Sequence, residues 1–111
     1  MNWLRQDKRL AIYIRDGFKC CYCRSGGWLS LDHLKPTSKG GGNESENLIT
    51  SCMSCNGKRS YRPWRKFARG AVSRIEQARL RPLPISKARE LLAEHGGLAS
   101  VLAKLTKKET E

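Results

Sequence analysis

Hydrophobic positions along the chain fall in short periodic runs separated by turn-forming clusters, and the period changes from helical to alternating and back. Leu4, Leu10, Ala11 and Ile14 recur at helical spacing with Gly17 standing as a stop, which predicts a first helix over residues 4–15 with Phe18 after it. Cys20 to Gly27 reads as a cysteine-bearing turn. Trp28-Leu29-Ser30-Leu31-Asp32-His33 alternates apolar and polar side chains over its middle, as a short strand does. Residues 36–46 contain nearly every turn-forming type and no large apolar residue, so they form a loop, and Asn47-Leu48-Ile49-Thr50 can return as a second strand. A short helix over 52–60 follows, and Pro63 is well placed as the first residue of another, running to about residue 80. Pro82 and Pro84 then interrupt the chain. Ser86 can cap a helix through Glu94, Gly96-Gly97 turns it, and Leu98, Val101, Leu102 and Leu105 carry a last helix. The expected result is a helical hairpin packed on the Trp64 helix, with His95 a helix-terminal residue and a polar, frayed tail after Thr106. The fold class is α+β: a two-stranded antiparallel hairpin plus helix, with an N-terminal helix and C-terminal helices, divided as 1–62 and 63–111.

The composition adds a partner. Among 111 residues, 22 Lys and Arg stand against 10 Asp and Glu, a formal charge of +12. The excess is local: residues 56–82 carry nine cations and one carboxylate, Glu76. Clustered cations gain affinity for phosphates by releasing condensed counterions, so nucleic acid leads and an anionic membrane surface comes second. Arg62, Arg65, Lys66 and Arg69 fall at i, i+3, i+4 and i+7, beside an apolar face of Trp64, Phe67, Ala68, Ala71, Val72 and Ile75. One helix would present a cationic stripe and bury an aromatic one; the alternative is a merely solvated face. No run approaches the ~18 apolar residues of a membrane span, and Met1 to Lys8 lacks the apolar region of a signal peptide, so the expected setting is soluble and cytoplasmic.

The cysteines change the picture again. Cys20-Cys21-Tyr22-Cys23 and Cys52-Met53-Ser54-Cys55 each hold a C-x-x-C, and two such knuckles can close a four-sulfur tetrahedron around zinc. Such a site has no open position for water and is structural. It would also staple a segment too small to hold itself together by its core. Cys20, Cys23, Cys52 and Cys55 are the favoured ligands and Cys21 is surplus; a C-x-C arrangement using Cys21 and Cys23 is the alternative, and a disulfide or a redox pair explains two matched knuckles less well.

The chemistry between the knuckles points further. An imidazole is largely neutral and still basic at pH 7, so His33 can take a proton from water, while Asp32, on the other side of the strand, is a hard oxygen ligand that suits Mg2+ or Mn2+. The string C-x-x-C, Leu31-Asp32-His33, Pro36, Gly40-Gly41, Glu46-Asn47-Leu48, C-x-x-C-Asn56-x-Lys58 resembles the HNH endonucleases, whose ββα-metal motif is two antiparallel strands and a helix around one divalent ion. The resemblance covers roughly residues 3–60. It implies His33 as general base, Asn47 as the residue that pins the loop and orients His33, and Asp32 with Asn56 as ligands of a catalytic Mg2+ or Mn2+. Asn56 stands where the pattern ends in histidine, so the chain looks like a His-Asn-Asn variant. The implied activity is a metal-dependent DNA endonuclease that nicks or cuts both strands, leaving 5'-phosphate and 3'-hydroxyl ends. Contacts would be mostly to the DNA backbone, with Lys58, Arg59, Arg62, Arg65, Lys66 and Arg69 meeting phosphates. Free-standing members of this size resemble those of phages, some of which assist packaging with terminase, in the cytoplasm of a bacterial host. The rival is a non-catalytic zinc-ribbon nucleic-acid-binding protein, and a third reading is a nuclease that cuts RNA.

Overall fold

The structure, a computed structural model, describes residues 4–106. The first helix, α1 (Gln6–Arg15), buries Leu10, Ala11, Ile12 and Tyr13. Its last residue, Arg15, is buried as well and donates to the Asp16 carboxylate at 2.8 Å and to the Leu48 carbonyl at 2.7 Å. Asp16 in turn accepts the Thr50 N–H at 2.8 Å. A buried charge is tolerable only when paired and hydrogen-bonded, and this pair is both, so it ties the end of α1 to the hairpin.

The hairpin consists of β1 (Leu29–His33) and β2 (Leu48–Cys52), antiparallel, with Asp32 opposite Ile49 and His33 opposite Leu48. All five residues of β2 are buried, Thr50 and Ser51 included, because α1 packs against this strand and α4 does too. Their hydroxyls bond to the Ile12 and Cys52 carbonyls, which removes the cost of burying them. The second strand runs two residues beyond the predicted Thr50. Next come α2 (Met53–Arg59), α3 (Trp64–Ala68), a 3₁₀ turn (Arg69–Ala71) and α4 (Val72–Arg79).

The single helix expected from Pro63 to residue 80 is therefore two helices with a break. At the break Arg69 takes φ +50° and is followed by Gly70, the weakest ordinary helix former. The bend lets Ala68, Ala71, Ile75 and Ala78 all reach one cluster with Cys21, Leu34 and Ile49, against which Trp64 packs. It also ends the cationic stripe, since Arg69 no longer continues the helical row of Arg65 and Lys66.

The last two helices, α5 (Ile85–His95) and α6 (Leu98–Thr106), form the expected hairpin, with Gly96 at φ +85° where a side chain would be strained. Its location differs from expectation. It lies on α1, not on the Trp64 helix: Leu10 and Ala11 share a buried cluster with Ala88 and Val101, and Arg89 pairs with Asp7 at 2.9 Å. Ser86 falls inside α5 and caps nothing; Pro84 precedes the helix. The tail after Thr106 lies outside the described residues. Among the described residues no helix is long and apolar enough to cross a membrane.

Candidate active site

The two cysteine knuckles converge. The Sγ atoms of Cys20, Cys23, Cys52 and Cys55 all lie within 4.8 Å of one another, and Cys23 and Cys52 are 3.7 Å apart. A tetrahedron with Zn–S bonds of about 2.3 Å has edges of about 3.8 Å, so the spacing fits zinc. Each knuckle repeats one device: the Cys23 N–H points at Cys20 Sγ and the Cys55 N–H at Cys52 Sγ, both at 3.4 Å. Arg24, at φ +70°, closes the first knuckle by donating its N–H to the Cys20 carbonyl. Burial opposes a charge on Cys20, yet the N–H groups of Cys23, Cys52 and Tyr22 outweigh it and hold the thiol down at about 7. Burial raises the Cys23 and Cys55 thiols, so in the metal-free cluster these two keep their protons at neutral pH. Cys21 points away into the apolar cluster, its thiol pushed up to about 12 by burial and by Asp16. Cys20 and Cys21 thus point into different buried clusters, and Cys20 shares its own with Cys52 and Cys55.

His33 ends β1. Its Nε2 lies 2.8 Å from Asn43 Oδ1. An amide oxygen only accepts, so Nε2 carries the ring proton and Nδ1 holds the lone pair. Among the described residues no hydrogen bond joins His33 to the Asn47 side chain. Its Oδ1 accepts the Lys35 N–H at 2.8 Å, and its Nδ2 donates to the Gly42 carbonyl at 2.9 Å and to the Lys35 carbonyl at 3.1 Å. These bonds pin the loop on either side of Gly41, where a methyl group would fall on the Lys35 carbonyl, and so hold the segment that presents Asn43. Lys8 of α1 donates to the Asn43 carbonyl from the other side. Asn43 is a residue that the pattern of the sequence did not single out; its only signal was its position after three glycines.

Asp32 is buried and engaged. Arg59 Nη1 donates to both carboxylate oxygens at 2.8 Å, and the Tyr22 hydroxyl donates to Oδ2 at 2.5 Å. Burial and the neighbouring Asp32 charge raise the Tyr22 phenol, which therefore stays a donor. Arg59 further donates to the carbonyls of His33, Leu34 and Arg62, and is only 3% exposed. This corrects the expectation that Arg59 meets phosphate: its guanidinium is turned inward, where it neutralises Asp32 and closes the end of β1 on α2. Asn56, on α2, donates Nδ2 to the Leu31 carbonyl at 3.3 Å, which directs its Oδ1 away from that bond.

As a set for a divalent ion, a carboxylate and an amide oxygen have the hardness that Mg2+ or Mn2+ takes. Asp32 Oδ1 accepts from Arg59 alone, and a carboxylate oxygen has room for a second partner. The set is sparse, and Arg59 already balances its charge. Among the described residues the four cysteines are the one cluster of three or more His, Cys, Asp or Glu side chains suited to a metal.

The cations of 56–82 divide by use. Arg74 donates to the Cys21 and Tyr22 carbonyls and so fastens α4 to the first knuckle. Arg65 and Arg79 both pair with Glu76. Lys58, Arg62, Lys66 and Arg69 have no ion pair among the described residues, which leaves them available to solvent or ligand. A groove of 460 Å³ lies beside Leu34, Lys35, Pro36, Asn47, Arg59 and Trp64.

A strand–strand–helix core whose histidine ends the first strand, stapled by four thiols, defines a ββα-metal type of site. Residues 20–62 match the family model described as HNH endonuclease, a family whose substrates are nucleic acids, and the match takes in both cysteine knuckles, the hairpin and α2. No curated protein and no solved structure matches the chain.

Proposed function

We propose that the protein is a metal-dependent HNH endonuclease that hydrolyses DNA, with His33 as general base. The observation that carries this reading is the His33–Asn43 hydrogen bond inside the HNH-matched segment, because it leaves Nδ1 as the basic nitrogen. Hydrolysis proceeds by in-line attack: the water oxygen bonds to phosphorus, its proton passes to His33 Nδ1, and the bond from phosphorus to the 3'-oxygen breaks. The leaving oxygen takes a proton from solvent, giving 5'-phosphate and 3'-hydroxyl ends. A Mg2+ or Mn2+ ion held by Asp32 and Asn56 together with a substrate phosphate would supply Lewis acidity to the phosphate and the leaving oxygen. Asn47 positions Asn43 through the Gly42 carbonyl, and Asn43 orients His33. Lys58, Arg62, Lys66 and Arg69 attract the backbone, and Arg65, exposed but paired with Glu76, joins them only by exchanging that carboxylate for a phosphate. The zinc is structural.

Supercoiled plasmid incubated with zinc-loaded protein, with and without Mg2+ or Mn2+, tests the proposal. Omitting the divalent ion is a cleaner control than a chelator, which would also strip the cysteine site. Nicked or linear product that disappears in His33→Ala supports the enzyme. A gel shift without product, in either metal, leaves the second reading, a zinc-stapled binding module. That reading draws its support from Arg59, which already occupies the Asp32 carboxylate. Resemblance to free-standing phage-type members supports a role in phage DNA processing, beside terminase, in the cytoplasm of a bacterial host; pull-down by purified terminase checks it.

A further inference from the structure

The groove beside Asn47 differs from an ordinary duplex-binding surface in one respect: it combines unpaired cations with an exposed aromatic ring. Lys35, Lys39 and Arg62 line it and have no ion pair among the described residues. No carboxylate lines it. Tyr61 stands 85% exposed at its wall, and Trp64, part-buried against the core, carries the Arg65 guanidinium 4.5 Å from its ring centroid. Pro63 joins the two aromatic positions and stiffens the segment between them. Cations alone would suit the phosphates of any duplex. An exposed ring next to them gains nothing from a duplex, whose base faces are stacked on each other, whereas an unpaired base can stack on it. At 460 Å³ the groove also falls within the ~300–1,000 Å³ of small-ligand clefts, a size that suits a nucleotide better than a helical rod. Its floor holds Arg59 and Leu34, which abut the end of β1 where His33 sits.

We infer that this groove binds an unpaired DNA strand, a base stacked on Tyr61 and its phosphates held by Lys35, Lys39 and Arg62. The inference rests on the nucleic-acid reading of the HNH domain and specifies the form of its substrate: DNA with a gap, flap or melted segment beside the scissile bond.

The experiment is anisotropy of a labelled dT 10-mer, a duplex 10-mer and an rU 10-mer, titrated with zinc-loaded protein in buffer free of Mg2+ and Mn2+. Tyr61 is exposed, so Tyr61→Ala leaves the fold intact, and Tyr61→Phe keeps the stacking face. Loss of one stack weakens binding on the order of tenfold. Tyr61→Ala is expected to weaken dT binding by that factor while duplex binding changes less than twofold, and Tyr61→Phe is expected to restore it. Equal losses for dT and duplex, or no loss, overturn the inference. So does a Tyr61 dependence confined to rU, which would make the occupant RNA. Because no cleavage is read, failure of the nuclease reading shows only in the plasmid assay and leaves this measurement interpretable.

Discussion

Replacing Arg59 with methionine separates a structural guanidinium from one that meets DNA. Methionine keeps much of the stem and removes every donor. Lost with them are both 2.8 Å bonds to Asp32, the bonds to the His33 and Leu34 carbonyls at 3.0 and 2.8 Å, and the bond to the Arg62 carbonyl at 2.9 Å. The side chains of Arg59 and Asp32 are 4% and 9% exposed, so water does little to replace what is removed. Asp32 keeps only the Tyr22 hydroxyl. An exposed pair would cost about 0–1 kcal/mol; a buried carboxylate stripped of its cation costs about 3–5 kcal/mol. For a domain of this size about 5 °C of Tm accompanies each kcal/mol, which gives a fall of roughly 15–25 °C. Since native domains are stable by only about 5–15 kcal/mol, the variant approaches unfolding at 37 °C. The assay is urea denaturation followed by far-ultraviolet circular dichroism, at fixed excess zinc so that metal binding does not vary between proteins. Adding Asp32→Asn to Arg59→Met removes the orphaned charge, and the double variant is expected to recover at least half of the loss, the signature of direct coupling. A cost below about 1 kcal/mol accompanied by weaker DNA binding would refute the reasoning, because the guanidinium would then face solvent and phosphate.

Zinc uptake at pH 7 is expected to release protons, because Cys23 and Cys55, raised by burial, hold theirs until the metal takes the sulfurs as thiolates. Affinity therefore falls as pH drops from 8 to 6, and calorimetry in buffers of different ionisation enthalpy measures it; a flat profile contradicts the assignment. Cys21, with its thiol at about 12, stays unlabelled by iodoacetamide in the native zinc-loaded protein, and Cys21→Ser retains one zinc per chain where Cys20→Ser does not, as mass spectrometry would read. Gly41→Ala drives a methyl into the Lys35 carbonyl and displaces the loop that Asn47 pins, so cleavage falls at least tenfold while zinc content stays at one; unchanged cleavage would separate that loop from catalysis. Arg89 first, and also Arg5, holds the Asp7 carboxyl below the usual carboxylate range. A carboxylate lowered in the folded state stabilises above its unfolded value and loses that contribution as pH falls through the folded one. Asp7→Asn is therefore expected to cost about 0.5 kcal/mol at pH 6 and progressively less as the medium is made more acidic than the folded-state carboxyl, read from urea midpoints.

Local chemistry carried most of what could be read without a fold. Two C-x-x-C knuckles meet because backbone geometry within four residues directs both sulfurs one way, and the D-H pair at a strand end followed by a Gly-rich loop needed no partner to be recognised. The return strand, both ends of the loop and the final hairpin follow from turn residues and short-range periodicity. Long-range packing decided the rest. Nothing in the spacing of Arg59 distinguishes it from Lys58; one turns inward because α2 packs on β1 and brings it beside a buried carboxylate. The helical period from Trp64 to Ile75 continues through Arg69-Gly70, yet the chain breaks there, since the bend carries four small or branched side chains into one cluster at the cost of a weak stretch of helix. The hairpin's apolar face is equally suited to α1 and to the Trp64 helix by composition, and its place on α1 is visible only in the packed chain. The sequence alone thus determined the staple, the class of site and the sign of the partner's charge, all of which depend on neighbours within a few residues. The tertiary structure decided which cations neutralise the protein itself and which remain for a ligand, because that depends on distances between residues far apart in the chain.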